Sequence, residues 1–415
     1  MPEGFRFNIF QSCNKARIGE ITTPHGTIQT PAFIFCGTDG YMKGVTAKQF
    51  KDANSQIMLS NTYHLEIYPG SEKIRDMGGL QKMTHWNGPM LTDSGGYQIF
   101  AMGHGSVSQE IKGKKKRRDP TLISINEKGA RFRSYWDQSI KFLTPERSIQ
   151  IQKNLGADII LVLDECTPFN TSKEYTQKSM ERSHRWSLRS IQEYKRLSIE
   201  NQGLYGIIQG GTHQDLREKS IQFNNEQEEF FGIAVGGSLG SDKQTMYRTI
   251  EFTMERIRKD KPVHLLGIGG LADIWHGIRQ GIDTFDCVHP TRIGRHGCAL
   301  VKANFWRNEV QTKTPSESID LTKGRFSNDY QPIDETCGCE TYQSGYTRAE
   351  LYYIFKRKDS IGGSLVSIHN IYFMNKMMEE IRKAIKEDRI DEIEDEWLVD
   401  ELKYVNRKTM NISCD

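Results

Sequence analysis

The sequence has no long apolar run. Its densest, IILVL at 159–163, is far too short to cross a bilayer, so no membrane partner is expected. The first residues, MPEGFRFNIF, lack the basic and then apolar pattern of a secretion leader. A charge excess is missing too. Fifty-six Lys and Arg stand against 53 Asp and Glu, a formal net charge of +3, so any nucleic-acid surface has to be a local patch. The eight cysteines (Cys13, Cys36, Cys166, Cys287, Cys298, Cys337, Cys339 and Cys414) are scattered and make no disulfide framework, which predicts reduced thiols and a cytoplasmic setting. No repeat of fixed period is present, which argues against a solenoid. What remains is a globular composition, 36% hydrophobic and 26% charged, in a chain of 415 residues. That length suits one large α/β barrel with insertions.

Eight short apolar runs recur along the first 290 residues: FIFC (33–36), QIMLS (56–60), PMLTD (89–93), DIILVLD (158–164), LYGIIQ (204–209), GIAVGG (232–237), HLLGIG (264–269) and IDTFD (282–286). Most are apolar throughout rather than alternating, as strands covered on both faces are. Amphipathic stretches such as PERSIQIQKNLG (145–156) and DKQTMYRTIEFTMERIRKD (242–260) lie between them. Strands alternating with helices, eight times over, predict a closed (β/α)₈ barrel, a TIM barrel, over residues 1–302. Beyond it the chain becomes polar and turn-rich. A subdomain over 303–375 and a helical tail over 376–415 are expected. KGKKKRR at 112–118, between the third and fourth strands, is either a solvated loop tip or part of an RNA surface.

In a barrel of this kind all strands point one way, so their ends meet at one mouth. The runs end in Asp93, Asp164, Gln209, Gly236 with Gly237, and Asp286. Any one strand-end aspartate could be a helix cap or a turn residue; three converging with an amide are better explained by chemistry. LTDSGGYQIF (91–100) supports that reading. Gly95 and Gly96 after Asp93 and Ser94 let the backbone approach a flat ligand and offer N–H donors. Tyr97 supplies a stacking face. A purine carries N–H edges that carboxylates accept from, and a carbonyl oxygen that Gln and backbone N–H groups donate to. In GIDTFDCVHPTRIGRHGCAL (281–300), a carboxylate at a strand end is followed at once by Arg292 and Arg295. That order fits an acid facing a substrate that carries phosphates. GIGGLA (267–272) also fits a dinucleotide fingerprint, but it lies late in the barrel pattern without a βαβ unit around it. A Gly-rich turn opening a helix can instead hold an RNA phosphate. No His-x-His or comparable cluster stands at the strand ends, so a metal-dependent barrel hydrolase is not expected.

TDSGGYQ, DECTP, IIQGG, AVGG and GIDTFDCVHPTR, in that order, resemble the tRNA-guanine transglycosylases, also called queuine or pre-queuosine tRNA-ribosyltransferases. The resemblance spans residues 7 to about 375. It implies a (β/α)₈ barrel with a C-terminal zinc-bearing subdomain. The implied reaction exchanges guanine at the wobble position of GUN-anticodon tRNAs for a deazaguanine base, without a nucleotide cofactor. By position, Asp286 matches the nucleophile that attacks C1′ and forms a covalent tRNA ester, and Asp93 the general acid/base. Asp93, Ser94, Gly95, Gly96, Tyr97, Asp164, Gln209 and Gly237 match the base-binding residues. Gly267, Ile268, Gly269, Gly270, Leu271, Ala272 and Asp273, with Thr291, Arg292, Ile293, Gly294 and Arg295, match tRNA-contact positions. The implied partners are the tRNA anticodon loop, a guanine, queuine or pre-queuosine base, and a second subunit in a homodimer or heterodimer.

The chain departs from this family twice. The zinc pattern is Cys-x-Cys-x-x-Cys with a distant His. Cys337, Cys339 and His369 fit three of its places, but Tyr342 stands at the third cysteine. Structural zinc takes four ligands. The site therefore either holds zinc weakly, recruits Asp334, Glu335 or Glu340, or is two buried thiols in a packed subdomain. In pre-queuosine-using members a valine follows AVGG; Gly240 stands at about that place, implying a roomier pocket and leaning toward queuine. The damaged cysteine motif alone favours a non-catalytic tRNA-binding subunit. Retention of Asp93, Asp164 and Asp286 together favours an active enzyme.

Overall fold

The structure is a computed structural model that describes residues 4–104, 121–308 and 315–403. The basic run 112–118 lies outside the described residues. All eight apolar runs are strands, and they close into one parallel barrel: Ala32–Cys36, Met58–Ser60, Met90–Thr92, Ile159–Leu161, Gly203–Ile208, Gly232–Val235, Val263–Leu265 and Thr284–Cys287. Closure comes from the eighth strand pairing with the first, Phe285 opposite Phe33 and Asp286 opposite Ile34. Residues of both pleat faces are buried along these strands, which is why the runs lack polar alternation.

Three small antiparallel sheets are added. Arg6–Cys13, Ala16–Thr23 and Gly26–Thr30 form one ahead of the barrel, and it is pinned to the barrel's N-terminal end. There the Arg17 guanidinium donates to both oxygens of the buried Asp283 at 2.9 and 2.5 Å, and His25 Nδ1 lies 2.8 Å from Asp158 Oδ1. A second sheet, Leu122–Asn126, Gly129–Arg133 and Ile140–Leu143, is inserted between the third and fourth barrel strands. The third is the pair Cys298–Leu300 and Ser318–Asp320.

Helix Ser360–Lys386 ties the C-terminal region to the barrel. Its first half packs on the short helix His289–Arg295, where Asn370 Nδ2 donates to the carbonyls of Pro290 and Cys298. Its second half descends the barrel wall, where Asn375 Nδ2 donates to Ala53 O at 2.7 Å and Arg382 Nη1 to Pro31 O at 2.7 Å. The helix therefore runs straight through position 375/376. Helix Ile390–Trp397 follows, with Trp397 buried and Arg279 bonded to Glu394 at 2.6 Å. No helix among the described residues is long and apolar enough to cross a membrane.

Candidate active site

Strand direction brings the polar strand ends to one mouth, and the side chains there contact one another. On the eighth strand, Thr284 and Asp286 are two residues apart and so share the inward face. Asp286 is nine-tenths buried. Its Oδ1 accepts the Gly267 N–H at 2.9 Å, and the Cys36 thiol donates to its Oδ2 over 3.7 Å. Burial, with the charge of Asp286 beside it, pushes the Cys36 thiol well up and keeps it protonated.

Asp93 follows the third strand directly. Its Oδ1 accepts the Thr62 N–H at 2.9 Å, Asn61 Nδ2 donates to its Oδ2, and the Thr62 hydroxyl donates to its backbone carbonyl. Asn61 and Thr62 lie at the start of the helix after the second strand, so two strand ends grip one carboxyl group. Burial pushes that carboxyl up to about 7, the N–H groups of Thr62 and Gly95 oppose the rise, and the charges of Asp286 and Asp164 add to it. A group half-protonated near neutrality can both give and take a proton.

Asp164 is buried and raised by that burial, with Cys166, Gln209 and Ser94 donating to it in opposition. Gln209 Nε2 donates to its Oδ2 at 2.5 Å, and Ser94 Oγ to its Oδ1 at 3.4 Å. Gly96 must be glycine, because a Cβ there would meet Asp164 Oδ1 and its carbonyl oxygen at 2.6 Å. Gly237 has φ +76, and a Cβ would meet Gln209 Oε1 at 2.8 Å. Ser94 is buried, while Tyr97, in the first turn of helix Gly96–His104, is 44% exposed. Asp93, Ser94, Gly95, Gly96, Asp164, Gln209 and Gly237 thus form one polar floor. Gly240 has φ +131, and a Cβ there would meet Thr245 Cγ2 of the next helix at 2.7 Å. Its own backbone and that helix account for the glycine, so its surroundings give no support to a widened pocket.

The expected RNA segments divide. Arg292 is exposed and Arg295 half-buried, and neither makes an ion pair among the described residues. Thr291 is buried, and a Cβ on Gly294 would meet the Ser367 backbone at 3.0 Å, so that glycine seats the long helix. Ile293 packs against the core. In 267–273, Gly267 donates to Asp286, and Gly269 lies against Cys287. Leu271 and Ala272 are buried, and Asp273 accepts from Tyr247 and pairs with Lys243. The Ala272 N–H, at the N-terminus of helix Leu271–Arg279, donates to Glu317 at 3.3 Å, where the sequence suggested a phosphate. Ile268 and Gly270 lie on the turn between Gly267 and that helix.

Cys337, Cys339 and His369 come together, all buried, with ligand atoms within 4.8 Å of one another. His369 Nε2 donates to Leu300 O at 2.9 Å, which leaves Nδ1 facing Cys337 Sγ at 3.5 Å and Cys339 Sγ at 3.9 Å. Tetrahedral zinc with thiolate and imidazole ligands sets such N···S separations at about 3.5 Å. The donor set fits zinc on three sides. Tyr342 is 39% exposed, and the nearby Asp334 already accepts from Thr336 at 2.8 Å.

Sequence reasoning missed Asn61 and Thr62, although they directly follow the second run, QIMLS (56–60), as Ser94 and Gly95 follow the third, PMLTD (89–93). It also missed Arg217, fully buried without an acidic partner among the described residues. Arg217 joins Gly211 O at 2.8 Å to Gly236 O at 3.0 Å and so ties the loops after the fifth and sixth strands.

A family profile described as "Queuine tRNA-ribosyltransferase" matches residues 12–402. A protein of that name from Roseiflexus sp. (strain RS-1) is 40% identical over 399 residues, 93% of this chain and 96% of that one. The one from Chlamydia trachomatis serovar D is 42% identical over 389 residues, 93% and 99% of the two chains. A third, from Pelotomaculum thermopropionicum, is 38% identical over 399 residues, 96% and 98%.

Proposed function

The chain belongs to the queuine tRNA-ribosyltransferase family, and from that premise we propose that it exchanges guanine at the wobble position of GUN-anticodon tRNAs for queuine or a pre-queuosine base through an ester on Asp286. It is a tRNA-guanine transglycosylase acting in queuosine modification. The observation that carries the reading is the joint hold on three carboxylates at one mouth. Asp286 is anchored by Gly267, Asp93 by Asn61 and Thr62, and Asp164 by Gln209 and Ser94. A non-catalytic subunit has no use for all three.

The wobble nucleotide leaves its stack and enters the mouth, which an anticodon loop permits at small cost. Asp164, Gln209 and the Gly237 backbone hold the base's polar edges while Tyr97 covers its face. A carboxylate oxygen of Asp286 bonds to C1′ as the C1′–N9 bond breaks. The departing electron pair goes to guanine, which takes the proton held by Asp93. The incoming base then gives a proton to Asp93 and displaces Asp286, so configuration at C1′ is retained. One N-glycosidic bond replaces another, and no nucleotide cofactor is required. Arg292 and Arg295 bind the flanking phosphates. Cys337, Cys339 and His369 would hold a structural zinc, which supplies a cross-link in the C-terminal region. Purified protein with labelled guanine and a GUN-anticodon tRNA tests the reading. Label should enter tRNA, and none entering would refute it.

A further inference from the structure

Beneath the carboxylate assigned as nucleophile lies a histidine that no step above uses. His264 stands on the seventh barrel strand, opposite Thr284 in register, and is wholly buried. Its Nδ1 lies 2.9 Å from Thr284 Oγ1. Its Nε2 lies 3.2 Å from Asp286 Oδ1, yet off the line a hydrogen bond needs, so that buried nitrogen is left without a hydrogen-bond partner among the described residues. Unpartnered buried polar atoms are rare in folded proteins. This one is 3.2 Å from the oxygen that also accepts the Gly267 N–H. The Thr284 hydroxyl and Nδ1 can bond in either direction; in the tautomer in which the hydroxyl donates, the imidazole carries its proton on Nε2, facing Asp286. Catalytic hydrogen bonds are often misaligned without substrate and tighten in the complex.

We propose that His264 is a positioning residue for Asp286: its Nε2–H and the Gly267 N–H together fix Oδ1, leaving Oδ2 as the oxygen that bonds to C1′. On Oδ2 the described partner is the Cys36 thiol at 3.7 Å, a weak donor that yields easily. Two donors on one oxygen orient the carboxylate plane toward the mouth. They also hold the remaining oxygen once Oδ2 has become an ester. The role rests on the reading of Asp286 as nucleophile.

The test compares wild type with His264→Leu, His264→Asn and His264→Gln. Glutamine's terminal amide reaches to the place of Nε2, asparagine's only to that of Nδ1. Single-turnover formation of the denaturant-resistant tRNA adduct is timed on labelled tRNA, and tRNA affinity is measured separately by filter binding. His264→Leu and His264→Asn should slow adduct formation by roughly tenfold or more, as loss of a hydrogen bond to a charged group implies. His264→Gln should stay within a few-fold of wild type, and tRNA affinity should be unchanged in all three. A His264→Leu protein as fast as wild type would overturn the role, as would a His264→Gln protein as slow as His264→Asn. That second comparison decides the matter even where leucine does not fold. If wild type itself forms no adduct, the reading of Asp286 fails and the role of His264 falls with it. Equal rates in wild type and variants overturn His264 alone.

Discussion

Replacing Asp164 by asparagine separates base recognition from folding. The Asp164 carboxylate takes three side-chain donors: Gln209 Nε2 at 2.5 Å and the Cys166 thiol at 3.4 Å on Oδ2, and Ser94 Oγ at 3.4 Å on Oδ1. In Asp164→Asn one of these oxygens becomes an NH2 group. Placed at Oδ2, it meets two donors. Placed at Oδ1, it meets a hydroxyl that can turn, and the amide oxygen keeps Gln209. The second placement is the cheaper, and in the proposed reading it turns one of the two acceptors Asp164 offers a purine N–H edge into a donor. A donor facing a donor in a buried site costs about 1–3 kcal/mol, or roughly 5- to 150-fold in base affinity. The folded protein meanwhile loses a carboxylate whose charge burial disfavours. Stability should therefore hold or rise. The assay is the Michaelis constant for guanine and for tRNA in the exchange reaction, with a melting curve beside it. A raised guanine constant, an unchanged tRNA constant and an undiminished melting temperature are expected. An unchanged guanine constant would refute the reasoning.

Asp93 is held up at about 7, above the roughly 4 of an unfolded carboxyl. Its contribution to stability is therefore fully present below about pH 4 and lost as pH rises through about 7. Asp93→Asn should flatten the decline in denaturation midpoint across that window, and an equal decline in both proteins would count against it. Arg292→Ala and Arg295→Ala should each raise the tRNA Michaelis constant and lower its salt slope by about 0.7, the value for a single-stranded phosphate contact; slopes equal to wild type would exclude the phosphate role. Protein as purified should hold less than one zinc per chain, removable by mild chelation, because Cys337, Cys339 and His369 close only three sides. Tyr342→Cys should raise zinc retention, and one tightly bound zinc in the wild type would contradict the ligand count.

The barrel was legible because its strands are buried on both faces. Runs such as DIILVLD and GIAVGG have no polar alternation to confuse them with surface strands. The carboxylates were legible for the same reason: an aspartate closing such a run has only the mouth to face. The N-terminal sheet was not legible, since its first strand, Arg6–Cys13, is exposed along most of its length and carries no periodic signal. Nor was the path of helix Ser360–Lys386, which packs on the first barrel strand although more than 320 residues separate them. The sequence pointed to Gly267 only as a tRNA-contact position and gave no sign that its N–H donates to Asp286, a bond created by the adjacency of the seventh and eighth strands. His264 reads in sequence as one polar residue at the start of an apolar run. Its meaning comes from standing beside Thr284 across the strand pair.

The central claim is an ester between Asp286 and tRNA, and trapping it is the most direct measurement. Wild type and Asp286→Ala are incubated with a labelled GUN-anticodon tRNA, denatured and resolved, and the trapped species is digested and weighed. Wild type should give a denaturant-resistant adduct whose mass places the nucleotide on the peptide containing Asp286, and Asp286→Ala should give none and exchange no guanine. An adduct that persists in Asp286→Ala, or that maps to another carboxylate such as Asp93, would contradict the account.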